Sequence, residues 1–325
     1  MKKIEIKNAV LRKDMLLDMK KPKVAVIMLL FNFLLGVVAI PVTAGLIFMA
    51  EGYSYDIVTL SYRIMVTMFL TMVWLETVAI CFLTPALTAG CISIEKERQT
   101  LDVLLTTRMS TWQIVKGKFF SSITLVLMLI VSGLPVMSLV FIYGGINLWQ
   151  LFLVVLVLIA ITMYLASFGV FFSSLVKNTI VSVILTYIAV GVVLALTFGV
   201  PPFLMLIMAG VGEYIEDEIG LVNNLNGDLF LFIMYWNPLV TIFDSTAQIF
   251  GYGGDGVTIN GMMDLGDTGL LLMLTEKNIF LKLWSVMSVA VQLGTSYLLL
   301  RWSAYLLKPV KKKPKKSINT YGARR

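Results

Sequence analysis

Residues 92–120 read ISIEKERQTLDVLLTTRMSTWQIVKGKFF, which places eight charged side chains in 29 residues between apolar runs on either side. The chain around them has 325 residues, 58% hydrophobic and only 14% charged, with a mean hydropathy of +0.90. That is far more apolar surface than one soluble core of this size would bury. The stretch therefore reads as a segment lying outside a membrane, joining two segments that lie within it. Working outward from it, six runs reach or exceed the roughly 18 to 20 apolar residues that a helix needs to cross hydrocarbon. They lie near 24–50, 64–92, 119–143, 148–175, 179–199 and 283–307. The first run is long and has no small-residue cleavage site, so it is expected to remain as an anchor.

Bases next to a span resist translocation, whereas acids contribute little. Eight bases precede the first run, Lys96, Arg98, Arg108, Lys116 and Lys118 lie between the second and third, Lys177 lies between the fourth and fifth, and eight more follow the sixth. With six spans all of these fall on one side. The opposite side receives Glu51, Asp56, a turn near Gly144 and Gly145, and a long loop with ten acids against Lys277 and Lys282. Both termini are expected in the cytoplasm of a multi-pass protein. The net charge of +7 then needs no nucleic acid to explain it, since the tail KPVKKKPKK beside a span meets anionic lipid head groups.

Several chemistries are excluded. The chain has no histidine, which removes HExxH metal sites, imidazole ligation and histidine-based triads. Its one Gly-Lys pair, Gly117-Lys118, has Trp112 where a P-loop needs its first glycine and Phe119 where it needs Ser or Thr. A carboxylate dyad needs two acids close together, and Glu76 is the only acid deep within a run. No catalytic residue, metal or cofactor is expected in this chain. Cys81 and Cys91 lie about 15 Å apart along one helix and cannot bridge each other.

Within the opening stretch, Ile94, Leu101, Leu104, Leu105 and Met109 recur at helical intervals, with Glu97, Arg98 and Asp102 elsewhere on the wheel. This predicts an amphipathic helix and a tight turn around Thr106 to Met109. Ser110 followed by Gln113 has the form of a capping box, so a second helix starts there and enters the third span. The first helix could lie in the head-group layer or meet a protein partner; its leading acids suit the partner slightly better.

The run EKERQTLDVLLTTRMSTWQIVKGK resembles the segment between the second and third spans of type-2 ABC exporter permeases. Glu95, Glu97, Arg98, Thr100, Leu101, Leu104, Leu105, Thr107, Ser110, Ile114, Gly117 and Lys118 match that pattern, while Gln99 replaces its usual glycine and Arg108 its usual proline. The resemblance covers about 24 residues. It implies a coupling helix, with Glu95, Glu97, Arg98, Leu101, Leu104, Leu105, Thr107 and Met109 meeting a separate ATPase that carries ATP and Mg in two copies. It also implies a smaller second contact at Lys177 in LVKNT, an interfacial elbow helix over 1–23, and a second permease copy or paralogue.

In the second span Thr67, Thr71, Trp74, Thr77, Cys81, Thr84 and Thr88 form one polar or small face. Such a face looks toward neighbouring helices, where hydroxyls bond, or toward a cavity. Glu76 lies beside it and must be protonated, paired or wet. Thr67, Thr71, Trp74, Glu76, Thr77 and Thr84 are the candidate substrate path. Pro201 and Pro202 are expected to end the fifth helix. Within 201–282, LFLFIMYWNPLVTIFDSTAQIF is apolar but interrupted by Asn237-Pro238 and Asp244, which suits a re-entrant or surface-lying hairpin. Pro201, Pro202, Asn237 and Pro238 are the candidate gate, and 251–270 reads as a turn-rich insert.

The expected architecture is thus an all-α integral membrane protein of 325 residues in one domain. It comprises the elbow 1–23, spans one to five over 24–200 with a coupling segment 93–118, an extracytoplasmic gate and insert over 201–282, a sixth span 283–307 and a basic tail 308–325. The expected function is an exporter permease of a bacterial cytoplasmic membrane that moves an amphipathic or hydrophobic substrate. A peptide toxin or antimicrobial peptide is the first choice, and lipid or drug the next. The alternative is an ion-coupled secondary transporter or channel using Glu76.

Overall fold

The computed structural model describes residues 22–50, 57–101, 106, 110–138, 146–215, 233–250 and 284–308. The expected elbow, the tail, the insert 251–270 and, within the coupling segment, Leu104, Leu105, Thr107 and Met109 lie outside the described residues.

Among the described residues every regular element is helical. They are α1 (Pro22–Ala50), α2 (Ile57–Thr88), α3 (Ser93–Glu97), α4 (Thr111–Ser138), α5 (Leu148–Leu175), α6 (Thr179–Ile215), α7 (Pro238–Phe250) and α8 (Trp284–Leu306). The six long helices stand where the six apolar runs were read. Four of them, α2, α4, α5 and α6, are long and apolar enough by length and composition to cross a membrane. Helices suit such sequences because in lipid each backbone N–H and C=O must find its partner within the segment.

Helix α5 is the centre of the bundle, packed most extensively on α8 and also on α2, α6, α4 and α7. Its sequence explains this position. Ala160, Ala166, Ser167, Gly169, Ser173 and Ser174 are all buried and let neighbouring backbones come close, which is how helices associate where no hydrophobic effect drives them together. Between these small positions Val154, Leu158, Ile161, Tyr164 and Leu165 fill the core with Val66, Phe69, Met72 and Val73 of α2 and Val126 and Ile130 of α4. A full capping box starts α5: the Asn147 side chain accepts from Trp149 N, and Asn147 N donates to Gln150 Oε1 at 2.9 Å.

Three expectations change at the helix ends. The second run begins earlier than read, at Ile57, and its helix stops at Thr88 with a turn over 89–92. The amphipathic helix of the opening stretch is interrupted: it runs from Ser93 to Glu97 and turns over 98–99, after which Leu101 is helical again and Thr106 lies in a turn where one was expected. The pair Pro201-Pro202 does not end α6, whose backbone continues to Ile215. Each proline removes one donor, but a membrane helix tolerates that loss when nearby groups take up the freed carbonyls.

Candidate functional site

The opening stretch is fastened to the turn between α5 and α6. Residues Glu95 to Thr100 close α3 with the bond pattern of a Schellman motif: Thr100 N donates to Glu95 O at 3.0 Å and Gln99 N to Lys96 O at 3.2 Å. The motif needs a left-handed residue at Gln99, and its φ is 56°. This is the position where the resembled pattern carries glycine. A glutamine there pays the Cβ penalty that glycine escapes. Gln99→Gly is expected to stabilise the turn by about 1 kcal/mol; slower amide exchange at position 99 and at Thr100 would show it, and unchanged exchange would refute it.

From this turn α3 reaches across to the α5–α6 hairpin. Ser173 Oγ accepts from both Ile92 N and Ser93 N, each at 2.8 Å. Lys96 Nζ donates to the carbonyls of Ser174 and Val176, which the end of α5 leaves unpaired. Glu97 Oε1 accepts from Thr179 N at 2.7 Å, and Asn178 Oδ1 accepts from Ile180 N at 2.9 Å. The N-terminus of α6 thereby has two side-chain caps, one of them from the opening stretch. Ser182 Oγ donates to Ala89 O at 2.8 Å, completing the join. On the other side Glu95 pairs with Lys118 at 2.6 Å. The Ser110–Gln113 capping box is present, with Ser110 N to Gln113 Oε1 at 3.0 Å and Gln113 N to Ser110 Oγ at 3.3 Å.

So the structure brings Glu95, Glu97 and the neighbourhood of Lys177 together. Leu101 is buried with Ile92, Val115 and Phe119, while Arg98 and Lys177 stay exposed. Ser173, Ser174, Thr179 and Ser182, which do the fastening, were not singled out from the sequence. The available signal was a pair of adjacent serines in the last turn of a largely apolar 28-residue helix.

On α2 three hydroxyls of the threonine face make local bonds. Thr77 and Thr84 are fully buried, Thr67, Thr71 and Trp74 half-buried. Thr71 Oγ1 donates to Thr67 O and Thr77 Oγ1 to Val73 O, both at 2.8 Å, and Thr88 Oγ1 to Thr84 O at 2.7 Å. These hydroxyls bond back to their own helix one turn earlier. Trp74 is set against Phe243 of α7, ring centroids 6.1 Å apart.

Glu76 is buried to 1% exposure between α2 and α4, and among the described residues neither carboxyl oxygen has a hydrogen-bond partner. Its carboxyl lies over Gly133, where an added Cβ would stand 3.4 Å from Oε1 and 3.5 Å from Oε2. Of the three states open from the sequence, the paired one is therefore not observed. Close by on α1, Asn32 Nδ2 donates to Ser132 Oγ at 2.9 Å, while its Oδ1 is also unpartnered.

The Asn-Pro pair is a helix start. Asn237 Oδ1 accepts from Leu239 N at 2.9 Å and Val240 N at 3.4 Å, which makes Asn237 the N-cap of α7 with Pro238 in its first turn. The same side chain, fully buried, donates to Thr197 Oγ1 of α6 at 2.7 Å. Beyond it Gln292 Nε2 of α8 donates to Thr241 Oγ1 at 2.6 Å and to Tyr235 O at 3.1 Å, and Ser288 Oγ donates to Tyr235 O at 3.0 Å. Asp244 accepts from Ser285 Oγ at 2.7 Å and Gln248 Nε2 at 2.9 Å. Of the expected gate, Asn237 and Pro238 thus join α6, α7 and α8, while Pro201 and Pro202 lie within α6.

A family model described as ABC-2 family transporter protein matches residues 8–300, most of the chain. No curated protein matches it. Among the described residues no cluster of acids and cysteines could hold a metal ion.

Proposed function

Because the chain belongs to the ABC-2 transporter family and so is the membrane permease of an ABC transporter, we propose that it exports an amphipathic or hydrophobic substrate in concert with a separate ATPase. The observation that carries this reading is the join between residues 92–97 and the α5–α6 turn. A partner that presses on Glu95 to Met109 acts at once on the start of α6 through Glu97 and on α4 through the Glu95–Lys118 pair. Exposed Arg98 and Lys177 supply charged contacts for two ATPase copies, which bring the ATP and Mg. A second permease copy or paralogue completes the passage. The termini are cytoplasmic, in agreement with the distribution of bases. A peptide toxin or antimicrobial peptide is the preferred cargo, followed by lipid or drug, since Thr67, Thr71 and Trp74 offer an uncharged wall leading to α7.

A second reading, an ion-coupled transporter, draws on one observation: the buried carboxyl of Glu76 without a partner. The two readings separate in one experiment. The tagged chain is purified in mild detergent from its native host, and proteins recovered in equal amount are identified, for wild type and for Leu104→Asp with Leu105→Asp. An ATPase held by the wild type and reduced roughly tenfold or more in the variant, a loss of about 1.4 kcal/mol in binding, is the expected result. Absence of any ATPase across several mild detergents overturns the exporter and leaves Glu76 as the working group.

A further inference from the structure

Where α4 begins and α8 ends, two cations converge on one tryptophan. The Arg301 guanidinium lies 4.8 Å from the centroid of Trp112 and the Lys116 ammonium 5.2 Å from the same ring. Tyr297 stands edge-on to Trp112, ring centroids 6.0 Å apart, and its hydroxyl accepts from Arg301 Nε at 2.7 Å. Trp112, Lys116 and Phe120 follow one another at four-residue steps along α4, and Tyr297, Arg301 and Tyr305 do the same along α8. No carboxylate among the described residues pairs with Arg301 or Lys116. An aromatic ring attracts a cation through its quadrupole but neutralises neither of two, so the pair leaves an uncompensated positive field.

One turn deeper into the bundle from each base stands an exposed apolar side chain, Phe120 (43% exposed) above Lys116 and Leu298 (66%) above Arg301. The complementary ligand therefore has an anionic head and an apolar body that begins one helical turn, about 5 Å, away from it. We propose that this notch between α4 and α8 binds an anionic phospholipid, its phosphodiester between Lys116 and Arg301 and its acyl chains along Phe120 and Leu298. A soluble acidic partner would use the bases but leave the two apolar neighbours uncovered. The inference depends on the membrane placement of the bundle and not on the exporter reading.

Native mass spectrometry of the full chain in a nonionic detergent tests it. The chain is titrated with phosphatidylglycerol and, separately, with phosphatidylcholine of the same acyl chains. The expected result is one phosphatidylglycerol retained at concentrations where phosphatidylcholine is lost. With two bases removed, in Lys116→Gln with Arg301→Gln, that binding weakens roughly thirtyfold, and in Lys116→Gln alone roughly fivefold. Arg301→Lys keeps most of it. A variant with Lys311, Lys312, Lys313, Lys315 and Lys316 changed to Gln retains it too, which separates the notch from the basic tail. Equal retention of both lipids, retention unchanged in Lys116→Gln, or loss on neutralising the tail alone each overturns the proposal. Lys116 is exposed, so its single variant folds whether or not the double one does.

Discussion

Gly169→Ala is expected to lower the stability of the bundle by about 3 kcal/mol or more, at the upper end of what one inserted methyl costs. An added Cβ would stand 2.0 Å from Thr88 Oγ1, 2.8 Å from Thr88 Cβ and 3.0 Å from the backbone nitrogen of Ala89. The hydroxyl cannot simply swing aside, because it donates to Thr84 O at 2.7 Å inside a fully buried site. Nor can the backbone of Ala89, whose carbonyl accepts from Ser182 Oγ. Relief therefore requires α2 and α5 to part at the level where α2 ends and the join to α6 begins. Thermal unfolding of the purified chain in one detergent should show a fall of several degrees. Thr88→Ala on the Gly169→Ala background removes the worst clash but keeps two others, and should restore part of the loss. A Gly169→Ala chain that melts with the wild type would show that the helices do not approach as described.

The second large effect is expected at Asn237. In Asn237→Ala the cap of α7 is lost, at roughly 1 kcal/mol. So is the buried bond to Thr197, at about 1 kcal/mol, with a small cavity in addition. A total of about 2 to 3 kcal/mol follows, and it falls on the seating of α7. Asn237→Asp separates the parts: the carboxylate still accepts from Leu239 and Val240 N but can no longer donate to Thr197 as the amide does. Asp should therefore start α7 normally while loosening it from α6. Limited proteolysis within 238–250 gives the readout, with Ala cut fastest, Asp next and wild type slowest. If Ala and Asp are cut alike, the cap adds nothing beyond the bond to Thr197, and if Asp is cut like wild type, that bond carries nothing. If neither differs from wild type, Asn237 does not seat the helix.

Much of this architecture was legible because the bilayer imposes long apolar runs, and the places of all six long helices could be read from them. The Ser110–Gln113 box was legible for a local reason, since it is a pattern within four residues, whereas Asn237-Pro238 read as an interruption and is the start of α7. What sequence could not give were relations between distant helices. Thr67 to Thr88 read as a face turned toward neighbouring helices or a cavity, but a threonine in a helix can always turn back to the carbonyl one turn earlier, and Thr71, Thr77 and Thr88 do so. Pro201-Pro202 read as a stop because the rule for proline is derived for helices whose ends water can satisfy. Glu76 announced itself by charge; that Gly133 makes the room for its carboxyl could not be known before α2 and α4 were set side by side. The role of Ser173 was hidden for the same reason, 81 and 80 residues from the two amides it serves.

Glu97 caps a helix that begins 82 residues after it. This gives the bundle a mechanical property that no single helix has. The segment before α4 and the turn before α6 are not two independent feet but one crank, bolted by side-chain bonds from Ser173, Lys96, Glu97 and Ser182. A displacement of either foot is therefore expected to carry the other with it.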